Sequence, residues 1–280
     1  MAPRPPLPEN LCDAACRVLN EPSPASKVEL TRRFAKSWSD GRLTEIGNQM
    51  PPERPQRPGR PALKHPNDVP RRGKGGLTGK RAFLHAIAHI ELNAIDLAWD
   101  IVCRFVHEDM PRAFYDDWVG VALDEAEHFD LLEDRLQSLE SGYGELAAHD
   151  GLWEAATTTK NDLLERLAIV PMILEARGLD TTPGAVQRLK QARDFETATL
   201  LQKIGDEEVP HVAAGVRWFE YLCERRDLDP VPTFHSIAKT RYAGRLKPPF
   251  NEAARNLAGM DQAYYQPEAP ARQDKSTGSL

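Results

Sequence analysis

The stretch that decides the fold runs from residue 118 to residue 132 and reads WVGVALDEAEHFDLL. Apolar side chains recur in it at the three- and four-residue spacing of a bundle helix, through Trp118, Val121 and Leu132. Two positions of the same face hold Glu125 and His128 instead. Because ionisable groups are seldom buried without partners, the stretch predicts a core helix that carries a polar site.

Four long stretches, including this one, show helical periodicity, and none alternates with a period of two. The predicted helices cover about residues 81–106, 112–141, 152–177 and 183–226. Gly178 is predicted to end the third helix, and Thr182 and Pro183 to start the fourth. The pattern predicts an all-α protein built on a four-helix bundle.

The other three helices also carry carboxylates or histidine on their apolar faces. Together the predicted ligands are Glu91, Glu125, His128, Glu175, Glu208 and His211. In each Glu-x-x-His pair, both side chains leave one helix face, one turn apart. Four buried carboxylates would repel one another, and two divalent metal ions would cancel their charge. One glutamate from each of two helices plus two such pairs is the ligand pattern of di-iron and di-manganese carboxylate bundles.

Several polar neighbours are candidates for orienting the ligand histidines, whose second ring nitrogen usually meets a carboxylate or carbonyl. These candidates are His89, Asp96, Asp124, Asp206 and Glu207. For the polar stripe of the first long helix, which includes His89 and Asp96, the alternative is a face covered by the N-terminal helices or by water. Pro171 and Pro210 lie beside predicted ligands, where each invites a kink or a π-bulge.

Residues 1–80 are predicted to form an N-terminal helical arm and a basic, proline-rich loop. Two short helices cover about residues 9–20 and 26–40, with Ser26 as N-cap of the second and Glu29 completing a capping box. Residues 53–81 hold nine Lys or Arg against two acids. They could form a solvated linker, a strap along the bundle, or a lid for an anionic substrate.

Residues 81–226 form the predicted di-metal bundle, and residues 227–280 form a C-terminal extension. Within the extension, Asn251 is predicted to cap a short helix that stops at Gly259. The last dozen residues are polar and predicted to be disordered.

The composition bounds the class of protein. The chain has 280 residues, a net charge of −6 and 41% hydrophobic residues, which is enough for a packed core. No apolar run reaches the roughly 18 residues of a membrane-spanning helix, and the first residues lack the apolar core of a signal peptide. Four cysteines do not make a disulfide framework. We therefore expect a reduced, cytoplasmic protein that does not enter membranes.

Five segments carry a resemblance to a known family: HAIAHIE (85–91), DEAEHF (124–129), LEARGLD (174–180), DEEVPHV (206–212) and KPPFN (247–251). With them the chain resembles the ferritin-like superfamily and, more narrowly, the bacterial family catalogued as domain of unknown function four-five-five. The likeness covers about residues 10–265. It implies a ferritin-like bundle with a di-iron site and implies little about the substrate. A more distant relative in layout is the tRNA-modifying di-iron hydroxylase.

The leading functional expectation is an oxidoreductase that activates dioxygen with two iron ions, two manganese ions or a mixed pair. Glu125 and Glu208 would bridge the metals, and Glu91 and Glu175 would bind terminally. The expected partners are dioxygen, an organic substrate and an external electron donor. The alternatives are iron storage or detoxification, a structural metal site, and a nucleic-acid modification hydroxylase that uses residues 54–81 as a basic surface.

Overall fold

The computed structural model describes residues 6–64, 68, 76–242 and 244–266, and it confirms the all-α bundle. The first helices are α1 (Leu11–Leu19), α2 (Pro24–Ser39), α3 (Gly76–Arg104) and α4 (Arg112–Ser138). After them come α5 (Gly151–Thr158), α6 (Leu163–Ile169), a π-helical turn (Val170–Glu175), α7 (Ala176–Gln191) and α8 (Phe195–Arg225). The chain continues with α9 (Pro230–Arg241), α10 (Glu252–Leu257) and α11 (Gln262–Tyr265).

The bundle is made of two helix hairpins that face each other. Helix α3 packs along α4, and the π-turn with α7 packs along α8. Helix α8 also contacts α4 and α6, which joins the two hairpins. One continuous hydrophobic core extends from Leu11 to Tyr265, so the N-terminal helices and the C-terminal extension are built onto the bundle rather than set apart from it. None of the helices within the described ranges is long and apolar enough to cross a membrane.

The boundary between the third and fourth bundle helices differs from the prediction. The chain stays helical through Gly178 and Pro183 and leaves the helix only after Gln191. Gly178 does not take the left-handed conformation of a helix stop, whereas Arg193 has a φ of 59°. The apolar face continues past Gly178 because Leu179 and Ala185 remain in the core. Tertiary burial therefore outweighs the local stop signals, and the helix end predicted at Gly178 is wrong.

Of the two helix N-caps predicted outside the bundle, one is wrong and one is confirmed. Ser23, not Ser26, caps α2, because Pro24 with its fixed φ takes the first helical position. The prediction at the other end of the chain is confirmed. The Asn251 side chain accepts from the Ala254 N–H at 3.2 Å, and Gly259 has a φ of 74° after α10.

The described part of the basic loop lies along the bundle as a strap. Arg54 pairs with Asp150, and the Arg57 guanidinium lies 3.1 Å from the Asp96 carboxylate. Residues Leu63–Lys64 form a short parallel pairing, β1, with β2 at Ala148–His149. Arg71, Arg72 and Lys74 of the predicted lid, and the last dozen residues, lie outside the described residues.

The C-terminal extension is clasped to α7 through one buried acid. The Asp180 carboxylate accepts from the Asn251 backbone N–H at 2.9 Å. It also accepts from Nε and Nη2 of Arg255 at 2.9 and 2.8 Å. Because both Asp180 and Arg255 are buried, the extension is fixed to α7 by charged hydrogen bonds and not by surface contacts alone.

Candidate metal centre

The predicted ligands converge at the middle of the bundle. The ligand atoms of Glu91, Glu125, His128 and Glu208 lie within 4.8 Å of one another, and all four residues are buried. Helix α3 supplies the first, α4 the next two and α8 the last. Glu175 ends the π-turn and lines the same cavity as these glutamates, although it lies outside the close group of four.

Each histidine turns its Nδ1 atom toward the carboxylates. His211 Nδ1 lies 3.1 Å from Glu125 and 3.3 Å from Glu208. His128 Nδ1 lies 3.4 Å from Glu91 and 3.6 Å from Glu125. The two imidazole ring centroids are 5.9 Å apart. Glu125 is thus the residue that both histidines share.

The outer nitrogen of each ring meets a carboxylate on the facing helix. His128 Nε2 lies 3.1 Å from Glu207, and His211 Nε2 lies 3.1 Å from Asp124. Lys203 Nζ also donates to Glu207 Oε2, at 2.6 Å. These contacts keep Nε2 facing outward and leave Nδ1 for the centre, as expected of residues that orient metal-binding imidazoles.

The remaining three orienting candidates have other partners. The Nδ1 and Nε2 atoms of His89 lie 2.7 Å from the Tyr143 hydroxyl and 3.0 Å from the His149 carbonyl oxygen. Asp96 pairs with Lys27 at 2.5 Å, and Asp206 accepts from a glutamine on its own helix at 2.8 Å. In the described structure none of the three contacts His128 or His211, so they are not expected to orient the ligands. For Asp96 the alternative interpretation is confirmed: this face of α3 is covered by the N-terminal arm.

Several buried polar atoms of this centre make no hydrogen bond, although the histidine nitrogens and the carboxylates lie 3.1–3.6 Å apart as ion pairs. In the described part of the chain they include both carboxylate oxygens of Glu125, Nδ1 of His128, Nδ1 of His211 and Oε2 of Glu175. Unsatisfied buried groups are rare in proteins because each costs about 1–3 kcal/mol. All of these atoms are oxygen or nitrogen donors suited to iron or manganese. The residues present therefore fit a pair of divalent cations.

The pKa values of the carboxylates in the centre are shifted in opposite directions. Burial raises the pKa of Glu91, and the neighbouring Glu125 raises it further. Burial with the charges of Glu125 and Glu208 raises the pKa of Glu175 to about 8. Burial also raises the pKa of Glu125, but the two imidazoles beside its carboxylate lower that pKa overall. Glu125 is the carboxylate that stays ionised most readily.

The histidines are held in the charged form by the carboxylates around them. Burial alone would lower the pKa of His128, yet Glu125 and Glu91 raise it to about 11. Burial also opposes the charged form of His211, while Glu208 and the other facing carboxylates raise its pKa well above the usual value. Without other cations, protons supply the positive charge of the centre, and metal ions would have to displace them.

A cavity of about 400 Å³ adjoins the carboxylates. Its lining includes Glu91, Glu125, Glu175 and Glu208, and it also includes the exposed Arg188. The cavity therefore connects the buried centre with the surface. Most of the remaining lining is apolar, contributed by α3, the π-turn and α8.

Two groups of residues around the centre and its cavity were not predicted from the sequence. Lys203 stands four residues before Glu207, a spacing that predicts an ion pair on a helix and could have revealed it. Arg177 and Arg188 line the cavity, but the predicted helix end at Gly178 hid the fact that both belong to one helix.

Comparisons with known proteins identify the family. No solved structure matches this chain. A protein of Haemophilus influenzae described only as an uncharacterized protein is 40% identical over 210 residues, which cover 73% of each chain. The family model described as "Protein of unknown function (DUF455)" matches residues 20–266, a stretch that contains all six predicted ligands. The chain therefore belongs to the DUF455 family, as its motifs predicted.

Proposed function

We propose that this protein is a ferritin-like di-metal carboxylate oxidoreductase that uses dioxygen to oxidise a small organic substrate. One observation carries the proposal: buried oxygen and nitrogen atoms from α4, α8 and the π-turn, none of which makes a hydrogen bond, converge beside a cavity large enough for an organic molecule. Such an arrangement is costly for folding alone, and it is typical of a site that binds and reacts.

The six residues divide naturally between two metal positions. Glu125 and Glu208 would serve both positions, since each lies within 3.7 Å of both histidines. Glu91 and His128 would hold one metal ion, and Glu175 and His211 the other. When bound, two iron ions, two manganese ions or a mixed pair would supply the electron transfer and Lewis acidity that dioxygen activation needs, with electrons from an external donor.

The protein's own groups would set the geometry around the metals. Asp124 and Glu207 hold the two imidazoles with Nδ1 inward. A substrate in the apolar cavity would displace water from the carboxylates, which would strengthen every electrostatic interaction in the site. The cavity beside Glu91 and Glu175 is where an organic substrate would lie.

The other candidate functions have less support. Iron storage does not require an apolar cavity that opens from the carboxylates to the surface. For nucleic-acid binding, the described part of the basic loop offers fewer free cations than its sequence suggests, since Arg54 and Arg57 pair with Asp150 and Asp96. We therefore propose no second function.

Metal analysis of the purified protein tests the proposal. After expression with ample iron, we expect about two metal ions per folded chain. Glu125→Ala should lose most of the metal, because both positions share that carboxylate. The matched control is Glu127→Ala, two residues along α4 and about half exposed, which should keep the metal. Helical content by circular dichroism shows whether each variant is folded.

Oxygen consumption by the ferrous protein tests the reaction class. The wild-type protein and the Glu127→Ala control should take up dioxygen, and Glu125→Ala should not. Less than one metal per folded wild-type chain would overturn the metal site. A fully loaded protein that consumes no dioxygen would overturn the oxidoreductase and favour a structural metal.

A further inference from the structure

The cavity beside the carboxylates is elongated. Along α7 its lining residues recur every three or four positions, from Glu175 through Gly178, Thr181 and Ala185 to Arg188. Residues at this spacing lie on one helix face, so the cavity follows the π-turn and α7 for about three and a half turns, or about 20 Å. The opposite wall runs antiparallel, because α3 lines the cavity from Ala94 back to Phe83.

The two ends of this groove differ in charge. The carboxylates of Glu91, Glu125 and Glu208 lie at one end, where two divalent cations would neutralise them. Arg188 lies at the other end, three turns along α7, and is exposed. Its Nη1 atom lies close to Gly184, one turn back along α7.

Arg188 is a cation available to a ligand. Within the described structure, no ion pair or hydrogen bond to a carboxylate engages it. Arg177, the other cation of the lining, is already occupied in part, because its Nη1 donates to the Lys247 and Pro249 carbonyl oxygens at 2.7 and 3.2 Å. Arg188 is therefore the group best placed to bind an anion at the mouth of the groove.

The walls between the two ends are apolar. The apolar lining comes from Phe83, Ile87 and Ile90 on α3, Leu201 and Ile204 on α8, and Leu174 of the π-turn. Sites for small molecules are lined mainly by apolar side chains with a few polar groups that fix orientation, and they enclose about 300–1,000 Å³. A cavity of about 400 Å³ is at the lower end of that range.

We propose that the groove binds a linear amphipathic anion, such as a medium-chain carboxylate, with its head group at Arg188 and its apolar chain directed toward the carboxylate cluster. The role of this molecule as the substrate to be oxidised rests on the proposed function, whereas its binding does not. The chain, remote from the head group, is then the part that lies next to the di-metal site. Binding would exclude water from the groove and order the ligand along α7.

Binding measurements with four matched ten-carbon probes test the inference. The full-length protein is loaded with zinc, which is redox-inert, and titrated by calorimetry with decanoate, decyl phosphate, 1-decanol and decylammonium. We expect one of the two anions to bind at least tenfold more tightly than decanol, and decylammonium to bind most weakly. Decanoate and decyl phosphate distinguish a carboxylate from a phosphate head group.

Three variants test the groove itself. Arg188→Gln should weaken binding of the preferred anion about tenfold, or about 1.4 kcal/mol, because the charge-assisted hydrogen bond to the head group is lost. It should leave decanol binding unchanged. Lys190→Gln, on the same helix but outside the lining, is the matched control and should change neither. Thr181→Trp should block the groove and abolish binding of all the probes.

The possible outcomes separate this inference from the proposed function. Anions that bind no better than decanol, or an unchanged preference in Arg188→Gln, would overturn the inference even in a protein that holds its metals. Anion binding that responds to Arg188→Gln in a protein that takes up no metal would support the groove and overturn the di-metal function. Metal content is therefore measured on every sample.

Discussion

Two acids just outside the candidate metal centre, Asp124 and Glu207, hold the outer nitrogens of His211 and His128, so that each ring turns its Nδ1 toward the centre. Both are partly exposed and accept from a buried imidazole at 3.1 Å. Asp124→Ala and Glu207→Ala should each weaken metal affinity by about 10–100-fold, because the imidazoles lose their fixed orientation. A competition titration against a chelator measures the affinity. Asp206→Ala removes an adjacent exposed acid and should leave the affinity unchanged; equal affinity in all three variants would contradict the orienting role.

His85 makes folding stability depend on pH. Burial lowers its pKa, and its Nε2 accepts the Gly144 N–H at 2.9 Å. The unfolded chain therefore binds this proton first, near pH 6.5. The contribution of neutral His85 to folding stability is complete above that pH. It is lost as the pH falls toward the pKa of His85 in the folded protein. His89, whose pKa burial lowers to about 4, acts with the same sign.

His85→Gln should reduce the pH dependence of stability between pH 5 and 7 by up to about 1.4 kcal/mol per pH unit. Urea unfolding of the wild-type protein and the variant, at equal metal content, measures the difference. Identical slopes would show that His85 is not neutral in the folded protein.

At the residue scale, the sequence predicted that the six proposed ligands lie close together. It did not predict all of the side chains that surround them. Glutamate and histidine in an apolar seam are chemically conspicuous, and the sequence places them on one helix face. His89 looks equally suitable by spacing. Its actual partners, Tyr143 and His149, come from a connection between helices more than 50 residues away, and no local pattern reveals such a contact.

At the scale of elements, the π-helical turn fixes Glu175, and Gly215 of α8 makes room for it. A Cβ atom at Gly215 would lie 2.5 Å from Cβ of Pro171, which is too close for two carbon atoms. Gly215→Ala should therefore destabilise the fold by about 1–3 kcal/mol and weaken metal binding, because the displaced turn carries Glu175. Chemical unfolding and metal titration of the same variant measure both effects.

The matched control is Gly120→Ala on α4, where a Cβ atom would meet nothing within 4 Å. It should stabilise the helix by up to about 1 kcal/mol, since alanine has the higher helix propensity. If Gly215→Ala behaved like Gly120→Ala, the close approach of α8 to the π-turn would be refuted.

The existence of the bundle helices could be predicted from the sequence, but several of their boundaries could not. The stretch predicted as one helix over residues 152–177 is interrupted between Thr158 and Leu163. The expectation of a π-bulge or kink was right at Pro171, which lies in the π-turn. At Pro210 the helix α8 continues without interruption. The stop predicted at Gly178 failed because burial of the following turns depends on α8, which no local signal reports.

At the scale of the whole molecule, a buried ion network joins the N-terminal arm to the bundle. Lys27 of α2 and Asp96 of α3 are 0% exposed and lie 2.5 Å apart, with Arg57 of the strap beside them. Lys27→Met should destabilise the protein by about 3 kcal/mol, because it leaves part of a buried charge uncompensated. Urea denaturation measures the loss.

Replacing both partners, Lys27→Met with Asp96→Leu, should recover most of that stability, since two apolar side chains carry no desolvation penalty. Lys36→Ala serves as the surface control. Its pair with Asp40 is exposed, and we expect a change below about 0.5 kcal/mol. A loss in Lys36→Ala as large as in Lys27→Met would show that the network has no special role.

The hydrogen bonds of Asp180 with Asn251 and Arg255 limit where this protein can be shortened. A chain cut after Arg226 would keep every proposed ligand and all four bundle helices, and by sequence pattern it would look complete. It would nevertheless lose Asn251 and Arg255, which hold the outer side of α7. The inner side of that helix forms the groove. Residues 227–266 therefore act as a brace for the binding wall, and any shortened form of the protein has to keep them.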